Sequence, residues 1–385
     1  MMARVLFSAA AWVAIALLNG LLIAPAPVFP QLMQAYGIGS AAAGSLVSAI
    51  LLTALLAQVP GAYLIDRLDN RKLVGVGIVG LSLASVPAFL VPTYEVALAS
   101  RLVTGVFVPF IFVPLANLVS EAYPEARTRA LGGYLSAPPA GYALGTFVTP
   151  LLPPVLGLFS IYLVYALPIL LLGPVLLWSS RSLARDRGPM LPLRAYAAAF
   201  RSRELWRLGL AFVSTYALYI LFTSWMPTFL TKVGGVTVVA GGALAALVPA
   251  LGILARPLGG RWAETRFAGD KRFVLLVSFL PLIPLSLVWL SAFSLPWAFL
   301  LLPLIGFFIQ LPFSVYYAFA SQILPDRLRG SAYTFVNMIS LLGGVLAPLL
   351  AGVLLDLTGS FAPSFLFAAA LAGVGLLLTV TARVR

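Results

Sequence analysis

Pro60-Gly61-Ala62-Tyr63-Leu64-Ile65-Asp66-Arg67-Leu68-Asp69-Asn70-Arg71-Lys72 is a short charged hinge between two apolar runs, 40–62 and 73–92. It has an echo in Pro257-Leu258-Gly259-Gly260-Arg261-Trp262-Ala263-Glu264-Thr265-Arg266, closed by Gly269-Asp270-Lys271-Arg272. Ala62 aligns with Gly260 and Asp66 with Glu264, each 198 residues on. A second echo joins Glu121-Ala122-Tyr123-Pro124-Glu125 to Gln322-Ile323-Leu324-Pro325-Asp326, with the prolines 201 residues apart. Repeats this long, set among apolar spans, point to two related halves joined in parallel.

The chain around the hinge is 62% hydrophobic and only 9% charged over 385 residues. A soluble globule carries about 25% charge, and one pass through a bilayer core needs about 20 apolar residues. The sequence therefore reads as an all-α integral membrane protein. Membrane strands are excluded, because the runs far exceed about 9–11 residues and do not alternate. Twelve spans are expected: 6–29, 40–62, 73–93, 96–120, 131–153, 157–179, 208–231, 239–262, 273–293, 296–321, 331–354 and 361–382. The N-terminal apolar run is too long for a secretory signal and is read as the first span. The Arg-rich segment 181–207 divides two six-helix bundles, 1–180 and 208–385.

The net charge of +13 follows topology rather than nucleic acid. With the N-terminus cytoplasmic, nearly every Arg and Lys falls on the cytoplasmic side. Lys232 alone falls outside, and Arg101 lies within a span. This is the positive-inside asymmetry, and it places both termini in the cytoplasm of a multi-pass cell-membrane protein. The chain has no cysteine and no histidine, so disulfides, thiolate metal sites and imidazole relays are excluded. The eleven acids sit at span ends or in loops. No carboxylate at mid-membrane offers itself for proton coupling. No nucleophile-base pair or metal cluster suggests an enzyme, and no cofactor is expected.

The Asp66-Arg67-(two residues)-Asn70-Arg71-Lys72 loop resembles the signature loop of the major facilitator superfamily, although that pattern carries glycine where Ala62 and Asp69 stand. The twelve spans, the central loop and the repeat extend the resemblance over the whole chain. It implies two six-helix bundles related by pseudo-two-fold symmetry and a monomeric secondary transporter working by alternating access. The resemblance also implies a cytoplasmic gate in which Asp66 faces the start of the eleventh span near Ser331. A carboxylate facing a helix N-terminus is worth about 0.3–1 kcal/mol when exposed and up to ~2 when partly buried. Arg67 and Arg71 would bridge to Glu121, and Glu264, beside Arg266, would face the start of the fifth span.

Arg101-Leu102-Val103-Thr104-Gly105 resembles the family's fourth-span motif. An intramembrane arginine costs roughly 2.5–3.5 kcal/mol on insertion scales and faces a cavity or a partner. It is read either as the attractor of an anionic substrate or as a packing residue bound to backbone carbonyls of the first span. Its repeat position holds apolar Leu302. Polar groups near mid-span supply the rest of the expected substrate site: Asn19, Tyr142, Tyr216, Tyr219, Gln310 and Asn337. Phe212, Tyr216, Tyr219 and Thr223 form one helical stripe. Arg256, near the inner end of its span, is a minor candidate. The expected activity is transport of a small solute, an organic or inorganic anion. Export of apolar or amphipathic compounds is the alternative, given the aromatic, charge-poor middle.

Overall fold

The computed structural model describes residues 2–382 except 66, 182, 184–198, 269, 291–293, 326 and 327. The described residues are helical, with short 3-10 turns and no strand. Among them, eleven helical stretches are long and apolar enough to cross a membrane, from Ala3–Tyr36 to Ala362–Thr381. Large apolar side chains face outward, including Leu254 at 70% and Leu171 at 67% exposure. Such surfaces suit hydrocarbon tails, and helices keep their backbone polar groups satisfied there.

The fifth expected span, 131–153, has no counterpart among these eleven stretches. It consists of Arg127–Tyr134, Ala137–Val148 and the 3-10 turn Thr149–Leu151. Proline has no N–H and clashes with the preceding turn, so Pro138 and Pro139 end one helix and start the next. The break is still hydrogen-bonded. Leu135 N donates to Leu131 O at 2.8 Å and Ser136 N to Gly133 O at 3.2 Å. Trp12 Nε1 donates to Ser136 Oγ at 3.0 Å, tying the break to the first helix.

The chain forms two compact units, Met1–Ile38 with Ser45–Met190, and Gly39–Gly44 with Leu191–Arg385. The units carry matching contacts. In the first, a Cβ on Gly141 would strike the carbonyl of Ala16, and one on Gly105 the carbonyl of Ile50. In the second, a Cβ on Gly343 would strike Val213 O, and one on Gly306 would strike Val248 O. Each member stands 197 to 202 residues from its counterpart. Small residues let membrane helices approach backbone to backbone, where van der Waals packing holds them.

The polar ends of the repeat match as well. Asp69 caps the Asn70–Leu90 helix by accepting from Arg71 N at 2.9 Å, and the Arg71 side chain returns to Asp69 at 3.2 Å. Arg71 Nη1 also donates to Arg181 O at 3.2 Å, beyond the sixth span. In the second unit Asp270 accepts from Arg272 N at 3.0 Å and pairs with its guanidinium at 2.6 Å. Arg272 Nη1 donates to Ala382 O at 2.9 Å. All three positions recur 201 residues on. The Arg272 hydrogen bonds hold the Asp270 carboxyl below the usual carboxylate range.

Candidate functional site

The polar residues expected at the substrate site fall into two groups. The richer one lies in the second unit, around a break in the tenth span. The Leu295–Gln310 helix stops at Leu311-Pro312, and Phe313–Ile323 starts again behind Pro312. The break places Gln310 and Phe313 side by side. Arg256, on the Gly252–Glu264 helix, lies over the Phe313 ring at 4.1 Å. Its Nε donates to Gln310 Oε1 at 2.9 Å. Both of these partners are neutral, and the aromatic face attracts a cation by about 0.5–2 kcal/mol.

The Arg203–Lys232 helix supplies the aromatic wall. Tyr219 and Phe212 meet Phe313 edge-on at 5.7 and 5.2 Å, and Tyr216 meets it tilted at 6.2 Å. Phe212 stacks on Tyr316 at 4.3 Å and meets Tyr317 edge-on at 5.8 Å. Tyr317 donates to Asn337 Oδ1 at 2.8 Å. Tyr216, Tyr219, Gln310 and Asn337 are thus brought into one cluster. Thr223, the last of the stripe, turns its hydroxyl back to Tyr219 O at 2.7 Å and serves its own helix. Arg256 moves from a minor position to the centre. Phe313 and Tyr317 escaped the sequence reading; the Leu311-Pro312 pair was the available signal for them.

The first-unit group is buried. Arg101 is only 2% exposed. Its Nε donates to Leu46 O at 2.8 Å, Nη1 to Leu21 O at 2.6 Å, and Nη2 to Leu22 O. The first helix ends at Ile23, and terminal carbonyls there lack intrahelical donors. Leu21 O faces the turn where Pro25, four residues on, has no N–H to give. Arg101 fills that gap and ties three helices together. Tyr142 and Tyr162 lie within its electrostatic reach. Asn19 Nδ2 donates to Ile15 O at 2.8 Å along its own helix.

Of the expected gate residues, those described stand at helix ends or in the hinges beside them. Asp66 lies outside the described residues. Arg67 covers the Tyr63 ring at 3.8 Å, and Arg71 belongs to the Asp69 clasp. Glu121 stands at the end of the Pro109–Ala122 helix. Glu264, the last residue of Gly252–Glu264, and Arg266 are both exposed.

Comparison with known proteins shows the family. The model described as Major Facilitator Superfamily matches residues 8–348. The chain belongs to the major facilitator superfamily. It is 25% identical to a D-galactonate transporter of Escherichia coli O6:H1, over 90% of this chain and 88% of that one. It is 28% identical to the 4-hydroxybenzoate transporter PcaK of Pseudomonas aeruginosa, over 87% of this chain and 82% of the relative. A crystal structure of a bacterial homologue of the human lysosomal transporter Spinster, inward-facing and unoccupied, superposes with a TM-score of 0.79. That match has 17% identity and covers 99% of this chain and 95% of the other. The twelve-span helical fold is the superfamily's. The chain is a multi-pass membrane transporter for small molecules, not an enzyme.

Proposed function

We propose that this superfamily member carries a small organic or inorganic anion across the cell membrane by alternating access, with Arg256 as the counter-charge. The N- and C-termini are cytoplasmic, one chain suffices, and the moving halves are 1–180 and 208–385, joined by 181–207. The observation that carries the anion reading is the Arg256 guanidinium held between an aromatic face and an amide oxygen. Tyr216, Tyr219, Gln310 and Asn337 provide hydroxyl and amide partners beside it. Arg101 supports this site indirectly, by fixing the first, second and fourth spans. The D-galactonate and 4-hydroxybenzoate carriers among the relatives support the same substrate class.

Uptake into proteoliposomes tests the proposal, with 4-hydroxybenzoate, D-galactonate and nitrate as probes. A hydrogen bond to a charged group contributes about 1.5–3 kcal/mol. Arg256→Gln is therefore expected to raise the anion KM roughly 10- to 150-fold while the protein stays folded. Saturable movement of apolar dyes, unchanged in Arg256→Gln and without uptake of any anion, would replace the anion reading with the exporter reading.

A further inference from the structure

The Arg256 cluster is built in two layers. Phe212, Tyr219, Gln310, Phe313 and Tyr316 are buried and form its floor. Phe212 and Tyr316 stack at 4.3 Å, so each covers a face of the other. Tyr216, Arg256, Tyr317 and Asn337 are half-buried and form its accessible edge, with Tyr333 at 38% exposure next to Tyr317. The helices that carry these residues all lie in the second compact unit.

The floor orients the charge. Gln310 Oε1 accepts from Arg256 Nε at 2.9 Å, and the Phe313 ring lies 4.1 Å below the guanidinium carbon. A guanidinium carries five N–H donors in a planar fork that matches a carboxylate, and Gln310 takes one of them.

The ring spacing then decides what body that carboxylate can carry. Phe313 and Tyr317 stand four residues apart on one helix, so they share a face about one turn apart. Arg256 lies over the first, and the second is within its electrostatic reach. The Tyr317 hydroxyl donates to Asn337 Oδ1 at 2.8 Å, which holds the ring in one plane. Phe212 and Tyr333 meet that ring edge to face, at 86° and 84°. Tyr333 and Asn337, again four apart, share one face of the Arg329–Thr358 helix. Tyr216 is close enough to both Tyr219 and Tyr317 to interact with them electrostatically. A cationic head therefore stands about one helical turn from a set of tyrosine rings held at fixed angles. Aromatic rings gain from edge and offset contacts with another ring beyond the area they bury. A polyhydroxylated acid needs acceptors for its hydroxyls, and a bare inorganic anion has no body to set against a ring.

We propose that this site selects aromatic monocarboxylates: Arg256 takes the carboxylate, and Tyr317, with Tyr216 and Tyr333, takes the ring. This rests on the anion reading of the same cluster and narrows it to one substrate class.

Calorimetric titration of the purified full-length protein with benzoate and with cyclohexanecarboxylate tests the selectivity. The two acids share the carboxylate and differ in having or lacking a π system. An aromatic pair is worth roughly 2- to 12-fold in affinity, so benzoate is expected to bind at least about five-fold tighter. Arg256→Gln is expected to weaken both acids alike. Tyr317→Leu is expected to bring the two affinities within about two-fold, whereas Tyr317→Phe keeps the ring and retains the preference for benzoate. Tyr333→Leu, at a more exposed position, is expected to narrow the preference in part and serves if Tyr317→Leu does not fold. Equal affinity of wild type for the two acids, both weakened in Arg256→Gln, would overturn the aromatic selectivity and leave the anion reading standing. A preference for benzoate left intact by these leucine variants would overturn the role of the tyrosines. If neither acid binds, the selectivity falls. Nitrate or D-galactonate binding that weakens in Arg256→Gln would then keep the anion reading, and its absence would remove that as well.

Discussion

Arg101→Met removes a buried charge held by three backbone carbonyls and fills much of the same volume. Three carbonyl oxygens, of Leu21, Leu22 and Leu46, lose their donor together. An unsatisfied buried acceptor costs about 1–3 kcal/mol, and breaking one side of a buried charged arrangement costs about 3–5 kcal/mol. The smaller range is the safer one, because Met keeps the packing and spares the desolvation of the guanidinium. A domain of 150–250 residues shifts by about 2–4 °C per kcal/mol, so a loss of about 3 kcal/mol lowers the melting temperature on the order of 10 °C. Thermal melts of purified protein in detergent, paired with uptake kinetics below the transition, provide the assay. The expected result is a lower melting temperature with an anion KM within about two-fold of wild type. An unchanged melting temperature with a KM raised ten-fold or more would refute the packing role and return Arg101 to the substrate site.

Gly343→Leu and Gly141→Leu force side chains into the carbonyls of Val213 and Ala16. Each should destabilise by roughly 1–3 kcal/mol or more, seen as early aggregation in size-exclusion chromatography after heating. Gly373→Ala meets nothing within 4 Å, and should match wild type or gain up to about 1 kcal/mol from helix propensity. Asp270→Asn removes a carboxylate held below its usual range by Arg272. A lowered folded-state pKa stabilises above the unfolded carboxylate value, and that stabilisation is lost as pH falls through the folded value. The melting-temperature gap between wild type and Asp270→Asn should therefore be constant from pH 6 to 8 and close below about pH 4. A gap that widens on acidification would contradict the clasp.

The spans were legible because lipid demands long apolar runs, and the family was legible in the Asp66–Lys72 loop. The fifth span was legible as apolar length, but Pro138 and Pro139 decide its local form and break it into two helices. Asp69 stood out as a departure from a glycine pattern. Its reason appears only with its copy at Asp270, where the same Asp-x-Arg spacing builds the same clasp. Arg101 was recognised as costly, and both readings were open. The endpoint of the first helix, before Pro25, shows why Leu21 O and Leu22 O take two of its donors. Arg256 has no local mark of a role, because its partners lie far along the chain, Gln310 being 54 residues away.

Equilibrium binding to purified protein tests the anion site most directly, by calorimetric titration with 4-hydroxybenzoate, D-galactonate and nitrate. At least one anion should bind saturably to wild type and to Asp270→Asn, with Arg256→Gln weakening it ten-fold or more. Equal affinity for that anion in wild type and folded Arg256→Gln would contradict the assignment of the site.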